Sequence, residues 1–217
     1  MTVFKQELAT IPCKIFYTQL KIWRKLIMKT IIFIFSTLLF SFSLHAKTVA
    51  NIEIPNSVSI DNAAKKLVLN GAGIRTKFIF DIYVGALYLE EKRDNAEAIY
   101  SLNGAKKVHM HFIYDEISKE KLVNAWNDGF NSNHSNDELA ALKNQITQFN
   151  NLFTSVKKGD VIDINFSPGI GTSIIINGKT NGTVKGDEFF TAILKIWLGE
   201  HPADIDLKNA MLGNEND

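Results

Sequence analysis

The most informative stretch of the chain reads Leu67-Val68-Leu69-Asn70-Gly71-Ala72-Gly73-Ile74-Arg75 and then, after six residues, Ile82-Tyr83-Val84-Gly85-Ala86-Leu87-Tyr88-Leu89. From residue 74 to residue 89 the chain is rich in Ile, Phe, Tyr and Val, a composition typical of β-strands. The Gly71-Ala72-Gly73 segment lacks the third glycine and the following helix of a dinucleotide-binding loop. Its glycines therefore indicate a bulge or a close approach of strands.

Shorter β-like runs lie on both sides of this stretch. From composition and alternation we predict strands over 49–54, 58–60, 66–69, 74–89, 107–114, 161–166, 172–176 and 180–184. Pro168-Gly169 and Asn177-Gly178 separate the last three strands, and both are turn dipeptides suited to an antiparallel meander.

Helical patterns alternate with these strands. Apolar residues at steps of three and four predict a helix after Ser135, where Ser135 and Glu138 have the spacing of a capping box. Further helices are predicted over 95–102, 118–130, 187–197 and 204–212. This order of strands, helices, hairpins and helices predicts an α+β fold, in which an antiparallel sheet packs its helices on one face.

The N-terminal region has the order of a secretory signal. Basic residues precede an apolar run from Ile31 to Phe42, which at roughly a dozen residues is shorter than the roughly 18 to 20 that a bilayer span needs. We predict a cleavable signal peptide over residues 1–46 and one domain over residues 47–217, located in the periplasm. The alternative is an uncleaved anchor in the inner membrane, because Leu44 is an imperfect residue for an A-x-A-type cleavage site.

The sequence does not decide which methionine, Met1 or Met28, is the true start of the protein. Met28 begins a more ordinary signal than Met1 does, so residues 1–27 are either an upstream start-site extension or a long n-region.

Charge and cysteine content exclude several classes of protein. The full chain has 24 basic and 23 acidic residues, which is too balanced for a protein that coats nucleic acid. Cleavage after Ala46 would remove six basic residues and one acidic residue, leaving a net charge of −4 that opposes adsorption on anionic lipid headgroups. The single cysteine, Cys13, would leave with the signal, so disulfide scaffolds and thiolate zinc sites are excluded.

Arg75 is the main candidate for a binding residue, because a guanidinium among apolar strands is costly unless an anion pairs with it. Tyr83 and Tyr88 could each donate a hydroxyl to the same carboxylate. The alternatives are that Arg75 forms a structural ion pair with an acid such as Asp81 or Glu90, or is exposed, and that both tyrosines are core aromatics.

The remaining polar patterns predict no catalytic residue, metal or cofactor. His109 and His111 share one face of a predicted strand, but the sequence offers them no third ligand. The carboxylates Asp160 and Asp163 fit turns better than a pair of catalytic acids.

The order and spacing of several short motifs resemble the chalcone isomerase-like family over residues 52–213, and its bacterial exported branch in particular. The motifs are Gly71-Ala72-Gly73-Ile74-Arg75, Tyr83-Val84-Gly85-Ala86-Leu87-Tyr88-Leu89, Lys158-Gly159-Asp160, Asn177-Gly178, Trp197-Leu198-Gly199 and Leu212-Gly213. The resemblance implies an open-faced β-sandwich, with a large antiparallel sheet layered by helices and a few short strands on the other side. It also implies a ligand cleft between the sheet and the helices.

The plant enzymes of this family close a chalcone to a flavanone without a cofactor, and Arg75 matches their arginine. Other positions depart from the enzyme pattern. Tyr83 replaces a threonine, and Ile196 replaces a hydroxyl residue. Lys119, Leu122 and Trp126 align near the polar tyrosine-lysine-asparagine cluster of the enzymes. Each donor lost from such a site is worth about 3 kcal/mol of transition-state stabilisation, so an isomerase built on this chain should be feeble.

Arg75 and Tyr83 resemble instead the pair that holds a carboxylate in the fatty-acid-binding members of the fold. The first hypothesis is therefore an exported protein that binds a fatty acid or similar apolar acid through Arg75 and Tyr83, with Tyr88 as further support. The second is a cofactor-free isomerase of the chalcone isomerase type, an intramolecular lyase. The third is a structural or partner-binding domain of the envelope with an empty cleft. The sequence identifies neither the ligand nor the oligomeric state.

Overall fold

A computed structural model describes Trp23, residues 46–60 and residues 66–214. The predictions for the signal peptide, the start codon and Cys13 concern residues that lie almost entirely outside this part of the chain. Of the helices that are described, none is long and apolar enough to cross a bilayer.

Residues 46–214 contain eleven described strands and five described helices. The strands are β1 (Lys47–Val49), β2 (Ile52–Ile54), β3 (Ser57–Ser59), β4 (Lys66–Lys77), β5 (Phe80–Leu89), β6 (Lys106–Phe112), β7 (Glu116–Ile117), β8 (Val156–Lys157), β9 (Val161–Ser167), β10 (Gly171–Ile176) and β11 (Lys179–Val184). The helices are α1 (Ala96–Tyr100), α2 (Lys119–Asn133), α3 (Asn136–Asn151), α4 (Asp187–Leu198) and α5 (Ile205–Met211).

Seven strands form one antiparallel sheet in the order β11-β10-β9-β6-β5-β4-β3, and two further pairs, β1-β2 and β7-β8, lie apart from it. The large sheet buries a different cluster on each face because successive side chains of a strand alternate between its faces. The larger cluster joins the sheet to α2, α4 and α5. The smaller cluster joins β4 and β5 to the β1-β2 hairpin through residues such as Ile54 and Leu67. This arrangement confirms the α+β fold with one helical face and a few short strands opposite.

Helix starts agree with the sequence signals. Ser135 accepts a hydrogen bond from the Glu138 amide while the Glu138 carboxylate accepts from the Ser135 amide, so the predicted capping box is present. The Asp204 carboxylate caps α5 by accepting from the amides of Asp206 and Leu207.

Two of the predicted strands are hairpins in the structure. The run over 49–54 turns at Ala50 and Asn51, which both have positive φ. The run over 74–89 turns at Phe78 and Ile79, between β4 and β5. Both turns lack the glycines and prolines that mark turns in a sequence, so the composition did not predict them.

The predicted bulge near Gly71 is confirmed. The pairing of β4 with β5 shifts between Leu69 and Gly71, so that Asn70 is an extra residue. A Cβ at Gly71 would lie 1.9 Å from the backbone oxygen of Ala210. The glycine therefore lets α5 approach β4 more closely than a side chain would allow.

Candidate functional site

A cavity of about 480 Å³ opens between the sheet and the helical layer, where β5 begins and β6 ends. This volume falls in the range of about 300–1,000 Å³ that is usual for small-molecule sites. Much of its wall is apolar and comes from β5, β6, α2 and α4: Ile82, Phe112, Leu122, Ala125 and Ile196. Such a wall suits an apolar ligand.

A second bulge directs two consecutive residues of β5 toward this cavity. Arg75 pairs with Tyr83 and Thr76 pairs with Asp81, so Ile82 is an extra residue in β5. In a regular strand Ile82 and Tyr83 would point to opposite faces, but here both line the cavity.

Arg75 lines the cavity beside Tyr83, its direct neighbour across the β4-β5 pair. Its side chain is half-buried, and the guanidinium carbon lies 5.8 Å from the centroid of the Tyr83 ring, within the range of a cation–π contact. Among the residues that the structure describes, no acid forms an ion pair with Arg75 and no acceptor takes a hydrogen bond from it. The guanidinium therefore retains its donors for a guest molecule.

The two acids that the sequence suggested as ion-pair partners of Arg75 bind other groups. The Asp81 carboxylate accepts a hydrogen bond from the Thr76 hydroxyl at 2.9 Å, and the Glu90 carboxylate accepts from the Ala105 amide at 2.9 Å. Asp204 accepts from the Thr76 amide at 2.8 Å in addition to the two amides of its own helix. Two further acids, Glu116 and Asp128, line the cavity, but neither forms an ion pair with Arg75 among the described residues, so the charge of Arg75 is not neutralised there by direct contact.

Tyr83 is 4% exposed, and its hydroxyl accepts a hydrogen bond of 2.8 Å from the indole nitrogen of Trp197. Burial raises the pKa of the Tyr83 hydroxyl to about 12, although the charge of Arg75 and the bond from Trp197 oppose the rise. The hydroxyl is therefore protonated at any physiological pH. Since its oxygen already accepts from Trp197, its own hydrogen is oriented away from that indole and can be donated to a ligand.

Trp126 supplies a third donor. The residue lines the cavity and is 3% exposed, yet its indole N–H has no hydrogen-bond partner among the described residues. Its ring lies 5.8 Å from that of Trp197, in an edge-to-face contact. A buried donor without an acceptor is destabilising by about 1–3 kcal/mol, and an acceptor atom of a ligand would relieve this penalty.

The structure does not bring Tyr88 to the cavity. Its hydroxyl donates to the backbone oxygen of Pro55 at 2.9 Å, and its ring belongs to the smaller cluster on the opposite face of the sheet. The physical reason is the strand period of two, because positions 83 and 88 are separated by an odd number of residues. Tyr88 is thus a core aromatic, which was the alternative interpretation of this residue.

Of the histidine pair, His109 has its Nδ1 atom 2.7 Å from the Asp163 carboxylate, which also accepts from Lys107 at 2.9 Å. These contacts hold the pKa of Asp163 below its usual value despite its burial. Over residues 46–60 and 66–214, no three metal-ligand side chains come together.

Sequence reasoning proposed no role at the site for Trp126 and Trp197 as hydrogen-bond donors, or for Asp204. Trp197 lies 114 residues from Tyr83 in the chain, so only the packing of α4 on the sheet joins them. The helical period placed Trp126 and Trp197 on buried faces, but a hydrophobic period carries no information about the partner of an indole N–H.

The arrangement combines an apolar chamber with three donor-bearing residues in its lining, Arg75, Tyr83 and Trp126. One of them is a permanent cation, and the others are neutral. This chemistry favours an amphiphile whose polar end is anionic or strongly accepting and whose remainder is apolar.

Comparison with known proteins shows the family and the fold of this chain. A family model described as chalcone isomerase-like matches residues 46–213. The structure is similar to the crystal structure of a fatty-acid binding protein from Arabidopsis thaliana, with a TM-score of 0.58 and 18% sequence identity. The similarity covers 78% of this chain and 97% of the Arabidopsis chain. A search of curated proteins found no match.

Proposed function

Because the chain belongs to the chalcone isomerase-like family, we propose that it binds a fatty acid or a similar apolar carboxylate in the cavity between its sheet and its helices. The carboxylate would lie against Arg75 and accept a hydrogen bond from the Tyr83 hydroxyl. The apolar tail would extend along Ile82, Phe112, Leu122 and Ile196.

The observation that carries this proposal is a guanidinium that lines a largely apolar wall without an acidic contact partner among the described residues. Arg75 has no ion-pair or hydrogen-bond partner within residues 46–60 and 66–214, and it stands next to the buried hydroxyl of Tyr83. A carboxylate can accept from both groups at once, and a charge-assisted hydrogen bond is worth about 1.5–3 kcal/mol.

The tail would contribute the larger part of the affinity. Each methylene group that leaves water contributes about 0.8 kcal/mol, whereas the head mainly fixes the orientation. The Arabidopsis protein with the same fold is described as a fatty-acid binding protein, and the proposal extends that class of ligand to this chain.

The lining favours binding over isomerisation. Leu122 and Ile196 offer no hydrogen-bond donor to the enolate that a chalcone cyclisation would develop, and Trp126 offers a single N–H. Preorganised donors supply most of the rate of such reactions. We therefore assign the cavity a carrier or storage role, in which the ligand leaves unchanged.

We also propose that the protein is exported. The support is the order of basic and apolar residues before Ala46. N-terminal sequencing of protein taken from the cell envelope tests this, since a first residue of Lys47 is expected.

The binding proposal is tested by extracting purified full-length protein with organic solvent and identifying the released lipids by mass spectrometry. A long-chain fatty acid at near-stoichiometric amount is the expected result. A parallel incubation with chalcones, followed by loss of their visible absorbance, tests the isomerase alternative. Protein that releases no acid and binds no added palmitate would overturn the proposal.

A further inference from the structure

The turn between β4 and β5 exposes apolar side chains to solvent. Phe78 is 90% exposed, Ile79 is 85% exposed, and the next residue, Phe80, is 50% exposed. We call these three residues the apolar tip. Isolated exposed apolar residues are ordinary, but three consecutive ones at the end of a hairpin form a continuous patch.

The backbone of the apolar tip is also unfavourable for its residues. Phe78 has a φ of 59°, a left-handed conformation that costs a residue with a side chain roughly 1–2 kcal/mol. A two-residue hairpin turn normally selects Gly or Asn at such a position. The turn thus carries both strain and exposed apolar surface, a combination that marks functional positions more often than structural ones.

The apolar tip borders the mouth of the cavity. Phe78 and Phe80 line the cavity together with Lys77, and Phe80 packs edge-on against Tyr114 at 5.7 Å between ring centroids. The apolar surface of the tip is therefore continuous with the apolar wall that begins at Ile82.

The size of the apolar tip limits what can cover it. A free aromatic side chain exposes roughly 200 Å². With the same value for Ile79, the tip offers about 450 Å² at the exposures stated above. A specific protein interface needs about 800 Å² from each partner. The tip is too small and too convex for that, but its size is sufficient for insertion of a few side chains into the boundary between headgroups and acyl chains.

We propose that the apolar tip docks on the surface of a phospholipid bilayer and brings the mouth of the cavity to the lipid. The contact is transient and apolar. Arg75, Lys77 and Lys121 around the mouth are nearly balanced by Glu116 and Asp128, so the attraction does not require anionic lipid and changes little with salt. Docking at this position would let an amphiphile pass between bilayer and cavity without crossing water.

The apolar run at 31–42 could itself bind lipid, so the test needs a signal that is local to the tip. Cys13 is the sole cysteine of the chain, so Cys13→Ser allows a single thiol to be introduced by Ile79→Cys and labelled with an environment-sensitive fluorophore. The matched control is Ile170→Cys. Ile170 is also an exposed isoleucine in a hairpin turn, and the strand registers put that turn at the opposite end of the sheet.

Full-length labelled protein is mixed with phosphatidylcholine vesicles that contain nitroxide-labelled lipid. The expected result is quenching of the fluorophore at position 79, with none at position 170 and little change at high salt. In the Ile79→Cys background, Phe78→Gly relieves the strained φ and removes a ring, so the protein should fold while half-quenching requires about tenfold more vesicles.

Equal quenching at both positions would overturn the inference, because it would mean that the N-terminal run alone tethers the protein. Concentration-dependent shielding of position 79 without vesicles would also overturn it, since the tip would then contact a second copy of the chain. The inference does not depend on the proposed ligand: protein that docks but retains no palmitate refutes fatty-acid binding alone.

Discussion

Replacement of Arg75 by alanine should weaken fatty-acid binding and also change what the cavity prefers. The guanidinium is half-buried and has no ion-pair or hydrogen-bond partner among the described residues, so within them its removal breaks only the cation–π contact with Tyr83. A charge-assisted hydrogen bond to a carboxylate is worth about 1.5–3 kcal/mol. Partial access of solvent places Arg75 at the lower end, which corresponds to a loss of about 10–30-fold in affinity for palmitate.

The informative measurement is calorimetric titration of the full chain with palmitate and, separately, with its methyl ester. Wild-type protein should prefer the acid because the ester has no negative charge for Arg75. The Arg75→Ala variant should bind both ligands with similar affinity, since the tail contacts are unchanged. Its melting temperature should equal that of the wild type within error.

Arg93→Ala is the matched control. Its side chain lies on the surface and pairs with Glu91, so its replacement should alter neither the affinity for the acid nor the preference over the ester. Unchanged palmitate affinity in Arg75→Ala would refute the assignment of the carboxylate site. An equal loss of affinity for acid and ester would also refute it, because it would indicate a packing defect.

Three further outcomes follow from the structure. Trp126→Phe should weaken palmitate binding severalfold in titrations because it removes a donor beside the cavity, while the smaller ring among Phe149, Phe153 and Trp197 lowers the free energy of unfolding; unchanged palmitate affinity would contradict the role of the indole N–H. Since burial raises the Tyr83 pKa from 10.0 to about 12, the folded state keeps a proton that the unfolded state loses. The free energy of unfolding should therefore fall with pH across that window by about 1.4 kcal/mol per unit more in wild type than in Tyr83→Phe, measured by chemical denaturation. Gly71→Ala should destabilise by about 3 kcal/mol or more because its methyl group would overlap the Ala210 backbone. Gly169→Ala, where φ is positive but space is open, should cost about 1 kcal/mol in the same assay, and comparable losses would contradict the steric argument.

Much of the fold could be predicted from the sequence because its signals are local. The capping box at Ser135 and the turn dipeptide Asn177-Gly178 each consist of residues that lie only a few positions apart. Both are found where the sequence analysis placed them. The hairpin at Phe78 could not be predicted in this way, because an apolar pair in a strained turn contradicts the local preference.

Only part of the candidate site could be predicted from the sequence. Arg75 was a candidate because a cation among apolar residues is unusual, and Tyr88 could have been excluded by counting the strand period from Tyr83. Whether Arg75 was free could not be inferred from the sequence. The answer depends on carboxylates that are distant in the chain, such as Asp204, which influences the Tyr83 hydroxyl and accepts from three backbone amides.

The contact between the indole of Trp197 and the Tyr83 hydroxyl has a practical consequence. The chain has three tryptophans. Trp126 and Trp197 are in edge-to-face contact beside the chamber, and the third, Trp23, lies in the N-terminal segment. Tryptophan fluorescence changes with local polarity and hydrogen bonding. Ligand binding in the chamber should therefore alter the emission spectrum of the unlabelled protein. The intrinsic fluorescence of the protein can therefore report ligand binding, and a screen of candidate lipids needs no added label.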